Sequence, residues 1–154
     1  MAMHPVTLSN DTDRSLANLS NGHKRGIETT LAILDEELCQ FEEWAKGREI
    51  HSVLYHEQNT LSAEQRNALS TETAMMKEIL VELQNTLKLA CRIRTVEKVI
   101  SSQCSTLWIY LRELESSYLL RYGEISPDLV TYFDPRISQL VDHINQIRKI
   151  VRTK

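Results

Sequence analysis

The stretch from Thr71 to Gly123, TETAMMKEILVELQNTLKLACRIRTVEKVISSQCSTLWIYLRELESSYLLRYG, decides the fold class. Apolar residues recur in it at Met76, Leu80, Leu83, Leu87, Ala90, Ile93, Val96, Ile100, Cys104, Leu107, Leu111, Leu114 and Tyr118. Every step is three or four residues, which is the period of an amphipathic helix and not of a strand. Neither Gly nor Pro interrupts the 75 residues between Gly47 and Gly123. A β-rich chain would need a turn about every 8 to 12 residues. The expectation is a helix over 71–121, about 75 Å long at 1.5 Å per residue. Three successive steps of three over 87–96, then two of four over 96–104, shift the phase of the stripe. The sequence leaves open whether this is a stutter in one continuous helix or a hidden turn near Ser101-Ser102.

Upstream, Ile27, Leu31, Leu34, Leu38, Phe41 and Ala45 keep a coiled-coil-like a/d spacing. Gly47 predicts a kink, after which the helix resumes through Ile50, Val53 and Leu54 to about Glu57. Ser62, with Gln65 three residues on, has the pattern of a capping box, and Ser70-Thr71 offers a competing start. Downstream, Gly123 stands where a helix C-cap glycine is expected. Pro127 opens a short helical turn, and Asp134-Pro135 opens a last helix over 136–152 along Ile137, Leu140, Ile144, Ile147 and Val151. The fold class expected is therefore all-α: long amphipathic helices near 27–57, 71–121 and 136–152 in an antiparallel bundle completed by dimerisation. The stripes nominate Leu31, Leu38, Leu83, Leu87, Leu111, Leu114, Ile144 and Ile147 as core. The polar segment 1–26 reads as a mobile arm, and 27–154 as one helical bundle domain.

Composition narrows the function classes. Net charge is −3, with 42% apolar and 25% charged residues, so no general attraction to nucleic acid or anionic membrane is expected. No run approaches 18 consecutive apolar residues, the length a membrane span needs. The N-terminal segment lacks the apolar region of a secretory signal. Cys39, Cys91 and Cys104 are odd in number and form no C-x-x-C, so a reducing, cytoplasmic setting is expected. Charge is uneven: 27–62 holds eight acids and two bases, and 85–122 holds three acids and six bases.

The motifs of catalysis are missing. The residues three before His51, His56 and His143 are Arg48, Val53 and Leu140, so the Glu-x-x-His of a di-metal bundle is absent. His56-Glu57 is not followed by the second histidine of H-E-x-x-H. His51 and His56, five apart on the expected helix, point to different faces. Cys104 lies on the apolar stripe and reads as a small buried hydrophobe. No Gly-rich phosphate loop exists. No catalytic, cofactor-binding or metal-ligating set is nominated, and no cofactor is expected.

Two features point to partners. The run Leu107-Trp108-Ile109-Tyr110-Leu111 is apolar all round, and Tyr118, Leu119, Leu120 and Tyr122 follow it. Such a segment is either the central helix of the fold or an aromatic patch offered to a second chain. Trp108, Tyr110, Leu119 and Tyr122 are the interface candidates. Lys88, Arg92 and Lys98 share a face of the expected helix, with Arg94 beside it, and are the candidate anion or nucleic-acid contacts. The leading expectation is a non-enzymatic helical interaction or scaffold subunit that associates with itself as a homodimer, or with another protein. The alternative is a nucleic-acid-associated or regulatory subunit using the basic stretch at 85–98. A bundle-interior enzyme site built from scattered Glu, Arg and His ranks third.

Overall fold

The computed structural model describes residue 16 and residues 18–152, and the chain is all-α. Its α-helices are α1 (Asn21–Ala45), α2 (Ala63–Leu87), α3 (Val96–Arg112), α4 (Ser116–Leu119) and α5 (Pro127–Arg152), with a 3-10 turn at Leu120–Tyr122. A two-stranded antiparallel ribbon, β1 (Ile50–His51) and β2 (His56–Glu57), joins α1 to α2. The described chain divides into two compact units, the first ending at Arg92 and the second beginning at Ile93. The expected arm over 1–26 lies mostly outside the described residues. Its last part, Asn21–Gly26, already belongs to α1, because Ser20 caps that helix by accepting from the His23 N–H at 3.2 Å.

The first unit is an antiparallel pair of helices. Glu42 of α1 meets Lys77 of α2 at 3.0 Å, and Glu28 accepts from the Ala90 N–H at 2.8 Å. The a/d stripe of α1 faces the partner as its spacing predicts: Leu38 is fully buried, and Ile27, Leu31, Leu34, Phe41 and Ala45 are half-buried. From α2, Thr73 and Leu87 are buried against it. Thr73 is tolerated there because its hydroxyl donates to the carbonyls of Leu69 and Ser70, both at 2.9 Å. α2 starts before the expected 71: of the two competing starts, Ser62 is the one used, and Ser62 and Gln65 make the reciprocal capping box.

The expected 71–121 helix does not exist as one piece, and its break is not at Ser101. α2 stops at Leu87, residues 89–95 have no regular structure, and α3 starts at Val96. Lys88 takes the left-handed conformation, φ 53° and ψ 48°. The next N–H, that of Leu89, reaches back to the Gln84 carbonyl at 3.2 Å, which is the Schellman closure of a helix end. Glycine is the usual residue there, so a Lys disguises the stop. What fixes the stop is remote in sequence: the Glu28 carboxylate of α1 takes the first free N–H beyond the turn, that of Ala90.

The second unit is another helix pair, α3 against α5. Cys104 is buried, as its place on the stripe predicts, beside Ile137 and Val141 of α5 as the other buried apolar side chains of this unit. α5 runs without interruption through Pro135 and so merges the two segments that the sequence separates at Asp134-Pro135. Pro135 forfeits one helical hydrogen bond. The neighbouring Asp134 anchors the helix at that point: its carboxylate accepts from the Ser116 N–H at 3.0 Å and the Ser116 hydroxyl at 2.6 Å. Gly123 ends the 3-10 turn at φ 144°, a conformation that favours glycine.

Of the nominated core, Leu38 and Leu87 are buried, Leu31, Leu83, Leu111 and Ile144 are half-buried, and Leu114 and Ile147 are exposed. A pair of helices buries only its facing stripe, so side chains at the margins of that stripe stay wet.

The left-handed Lys88 gives a prediction whose sign discriminates. Lys88→Gly should stabilise the chain by about 1 kcal/mol, because glycine carries no steric penalty in that conformation. In a continuous helix the same change would cost about 1 kcal/mol. Denaturant midpoints of the two proteins decide it. Leu38→Ala, at a site with no solvent exposure, should cost about 2–5 kcal/mol.

Candidate functional site

The most elaborately built local structure is the connection between α1 and α2, where the expected resumption of the first helix to Glu57 is overturned. Helix α1 ends at Ala45, and Gly47 turns the chain at φ 90°. A Cβ on Gly47 would meet only the tip of the flexible Arg66 side chain, at 2.6 Å, so it is the backbone angle that demands glycine. The chain then pairs with itself, Ile50 opposite Glu57 and His51 opposite His56. The Ser52 N–H donates to the Tyr55 carbonyl at 2.9 Å, leaving Val53-Leu54 as the turn. Neither takes a positive φ, although tight hairpins favour Asn-Gly or Asp-Gly with left-handed residues.

Three polar side chains hold this ribbon on the helix ends. Glu57 accepts from the Trp44 indole N–H at 2.6 Å and from the Tyr55 hydroxyl at 2.9 Å, with the Arg48 guanidinium at 3.9 Å. Asn59 donates to the Trp44 carbonyl at 2.7 Å and the Arg48 carbonyl at 3.2 Å, satisfying groups that the end of α1 leaves open. Glu49 accepts from the Asn59 N–H at 3.1 Å and lies 2.9 Å from His51 Nε2. The indole and then the phenol lower the pKa of Glu57, and the Asn59 N–H and then His51 lower that of Glu49. The Glu57 carboxylate in turn raises the pKa of Tyr55. The product is a clamped ribbon whose turn residues, Val53 and Leu54, are 93% and 100% exposed.

The sequence reading missed this element. The signal was a slip of helical phase after Gly47, followed by Ile50, Val53 and Tyr55, residue types that favour strands, within a span closed by Asn59. The same correction moves the two histidines. On a helix they would have diverged; across the ribbon their ring centroids are 4.1 Å apart, edge to face.

The interface candidates are brought together only in part. Trp108 is half-buried on the α3 face turned to α5, with the Arg112 guanidinium 5.2 Å from its ring centre. Leu119 is half-buried in α4. Tyr110 and Tyr122 are exposed. Leu107, Tyr118, Leu120 and Tyr132 of the same unit are also exposed, with Arg121 near both Tyr118 and Tyr122 and Arg136 stacked 3.7 Å from the centre of Tyr132. The segment is thus the central helix of nothing larger than a pair in its own unit.

The helix face that would align Lys88, Arg92 and Lys98 is absent. Lys88 caps α2, Arg92 lies in the irregular connection, and Lys98 is in α3. Lys98 lines a shallow concavity of about 240 Å³ with Arg94, Val99, Ser102 and Gln103. Among the described residues no group of three or more His, Cys, Asp or Glu side chains is arranged to hold a metal ion, and no helix is long and apolar enough to cross a membrane. Comparison with protein-family models, curated proteins and solved structures yields no match.

The clamp predicts a pH response. Glu49 and Glu57 are lowered in the folded chain, so their contribution is complete above the ordinary glutamate range. It is lost as pH falls through their depressed folded values. The Trp44 indole N–H resonance should therefore hold its position through the ordinary glutamate range and move only below it. Movement at or above that range would contradict the clamp.

Proposed function

We propose that this chain is a non-enzymatic interaction or scaffold subunit that works through protein–protein association, self-association first. The supporting observation is the state of its helix flanks. On α2, Met76 and Ile79 are exposed beside the buried stripe, and in the second unit Leu107, Tyr110, Leu140 and Ile147 are exposed. By the helical repeat, Met76, Ile79 and Leu83 run along one side of the α2 stripe, and Leu34 and Phe41 border the α1 stripe in the same rotational sense. In an antiparallel pair, equal sense means the same side. The same construction places Ile100, Leu107 and Tyr110 of α3 with Leu140, Ile144 and Ile147 of α5. Each helix pair therefore carries one continuous apolar flank.

Apolar area left in water forgoes roughly 25 cal/mol for each Å². A further helix pair laid on such a flank turns two helices into a four-helix bundle, the ordinary way to satisfy helices of this pattern. A second copy supplies such a pair, and two-fold dimers are the commonest symmetric assemblies. The three cysteines, all unpaired, suit a reducing setting such as the cytoplasm. The nucleic-acid reading has no comparable support, since Lys88, Arg92 and Lys98 do not share a face.

Light scattering on the purified chain tests the reading. The mass expected is about twice 17.8 kDa, and a Tyr110→Glu variant should fall to the single-chain mass with its helical circular dichroism unchanged. A wild-type mass of one chain at micromolar concentration would refute self-association.

A further inference from the structure

The cross-strand histidines have a use that the helix flanks do not explain. His51 and His56 occupy opposed positions of the ribbon. The Ser52–Tyr55 hydrogen bond beside them makes 51/56 a non-hydrogen-bonded pair, the kind in which side chains approach most closely. Both histidines are exposed, and their rings touch at 4.1 Å between centroids. Glu49 adds a second, independent feature. Its carboxylate can only accept, so the His51 Nε2 that lies 2.9 Å from it carries the proton and donates. In the neutral ring that leaves the lone pair on Nδ1 of the exposed His51 for a ligand. A carboxylate holding one imidazole nitrogen while the other stays free is the outer arrangement commonly found behind metal-ligating histidines. The Asn59 N–H fixes that carboxylate in turn, at 3.1 Å.

We propose that His51 and His56 form a two-imidazole clamp for an exchangeable divalent transition-metal ion of the zinc, nickel and copper class. Imidazole nitrogen suits these ions, and it does not suit calcium or magnesium. A resident ion held wholly by protein is not what the pair builds; water completes the coordination. The rings now stand edge to face, 77° apart. Binding requires one of them to turn about its Cβ–Cγ bond, a soft torsion, so that a nitrogen from each meets the ion at about 2.0–2.1 Å. Only Ser52, Val53, Leu54 and Tyr55 lie between the two ligands in sequence. The ion would therefore staple the base of the exposed Val53-Leu54 turn and hold its apolar tip in one conformation.

The test is a zinc titration of the full-length chain, followed by the ring ¹⁵N resonances of its histidines. Nδ1 of His51 and one nitrogen of His56 should shift together and saturate at one zinc per chain, with His143 unmoved. His51→Asn should abolish the shift of His56, and His56→Asn that of His51. The Trp44 indole N–H resonance, kept in each variant, shows the clamp around Glu57 still folded. Zinc taken up by the exposed thiols of Cys39 and Cys91 leaves both rings where they were and so counts against the proposal. Rings that stay put at millimolar zinc, or a His51 shift that survives His56→Asn, would overturn it.

Discussion

Two helices packed side by side share a single line of contact, and each can bury only the residues near that line. That constraint organises both units of this chain. Among the described residues the buried apolar side chains are few: Leu38 and Leu87 in the first pair, Cys104, Ile137 and Val141 in the second. Everything one position further round each helix is half-wet. So the ends of the pairs are tied by polar chemistry instead of by a deep core. Glu28 holds the exit of α2, Glu57 and Asn59 hold the exit of α1, and Asp134 holds Ser116 at the start of α4.

These tethers have a common form. In each, a carboxylate or amide takes up backbone groups that a helix end would leave unsatisfied, or reaches across to a side chain on a neighbouring element. Their net contribution is modest one by one. Their effect on shape is larger, because each sits at a helix end and ties it to a neighbouring element. The ribbon at 50–57 shows the consequence most fully. A short two-stranded ribbon is marginal alone, yet Trp44, Arg48 and Asn59 attach it to the end of α1, and it projects two apolar residues into solvent.

The sequence made the helices legible and hid their ends. The a/d stripe of Ile27 through Ala45 and the Ser62–Gln65 capping box appear in the structure as read, because both are local signals of spacing and side-chain chemistry. The stop at Lys88 was unreadable, since a Lys sits in the left-handed position where Gly would announce it, and the group that secures the stop is Glu28, 62 residues away. Apolar spacing even continued across the gap through Ala90 and Ile93. Pro135 misled in the opposite direction. It suggested a boundary within what is one helix, because the anchor that lets α5 run through it is Asp134 on Ser116, a tertiary contact. Of the aromatic and apolar candidates on this stretch, Tyr110 and Tyr122 are exposed, whereas Trp108 and Leu119 are half-buried in their own unit.

The break in the 71–121 stretch between α2 and α3 is what separates the two helix pairs, and amide hydrogen exchange tests it most directly. The account predicts protected blocks over α2 and α3 with unprotected amides from Cys91 to Thr95 between them. Continuous protection from Thr71 through Arg112 would mean a single long helix and would contradict the account.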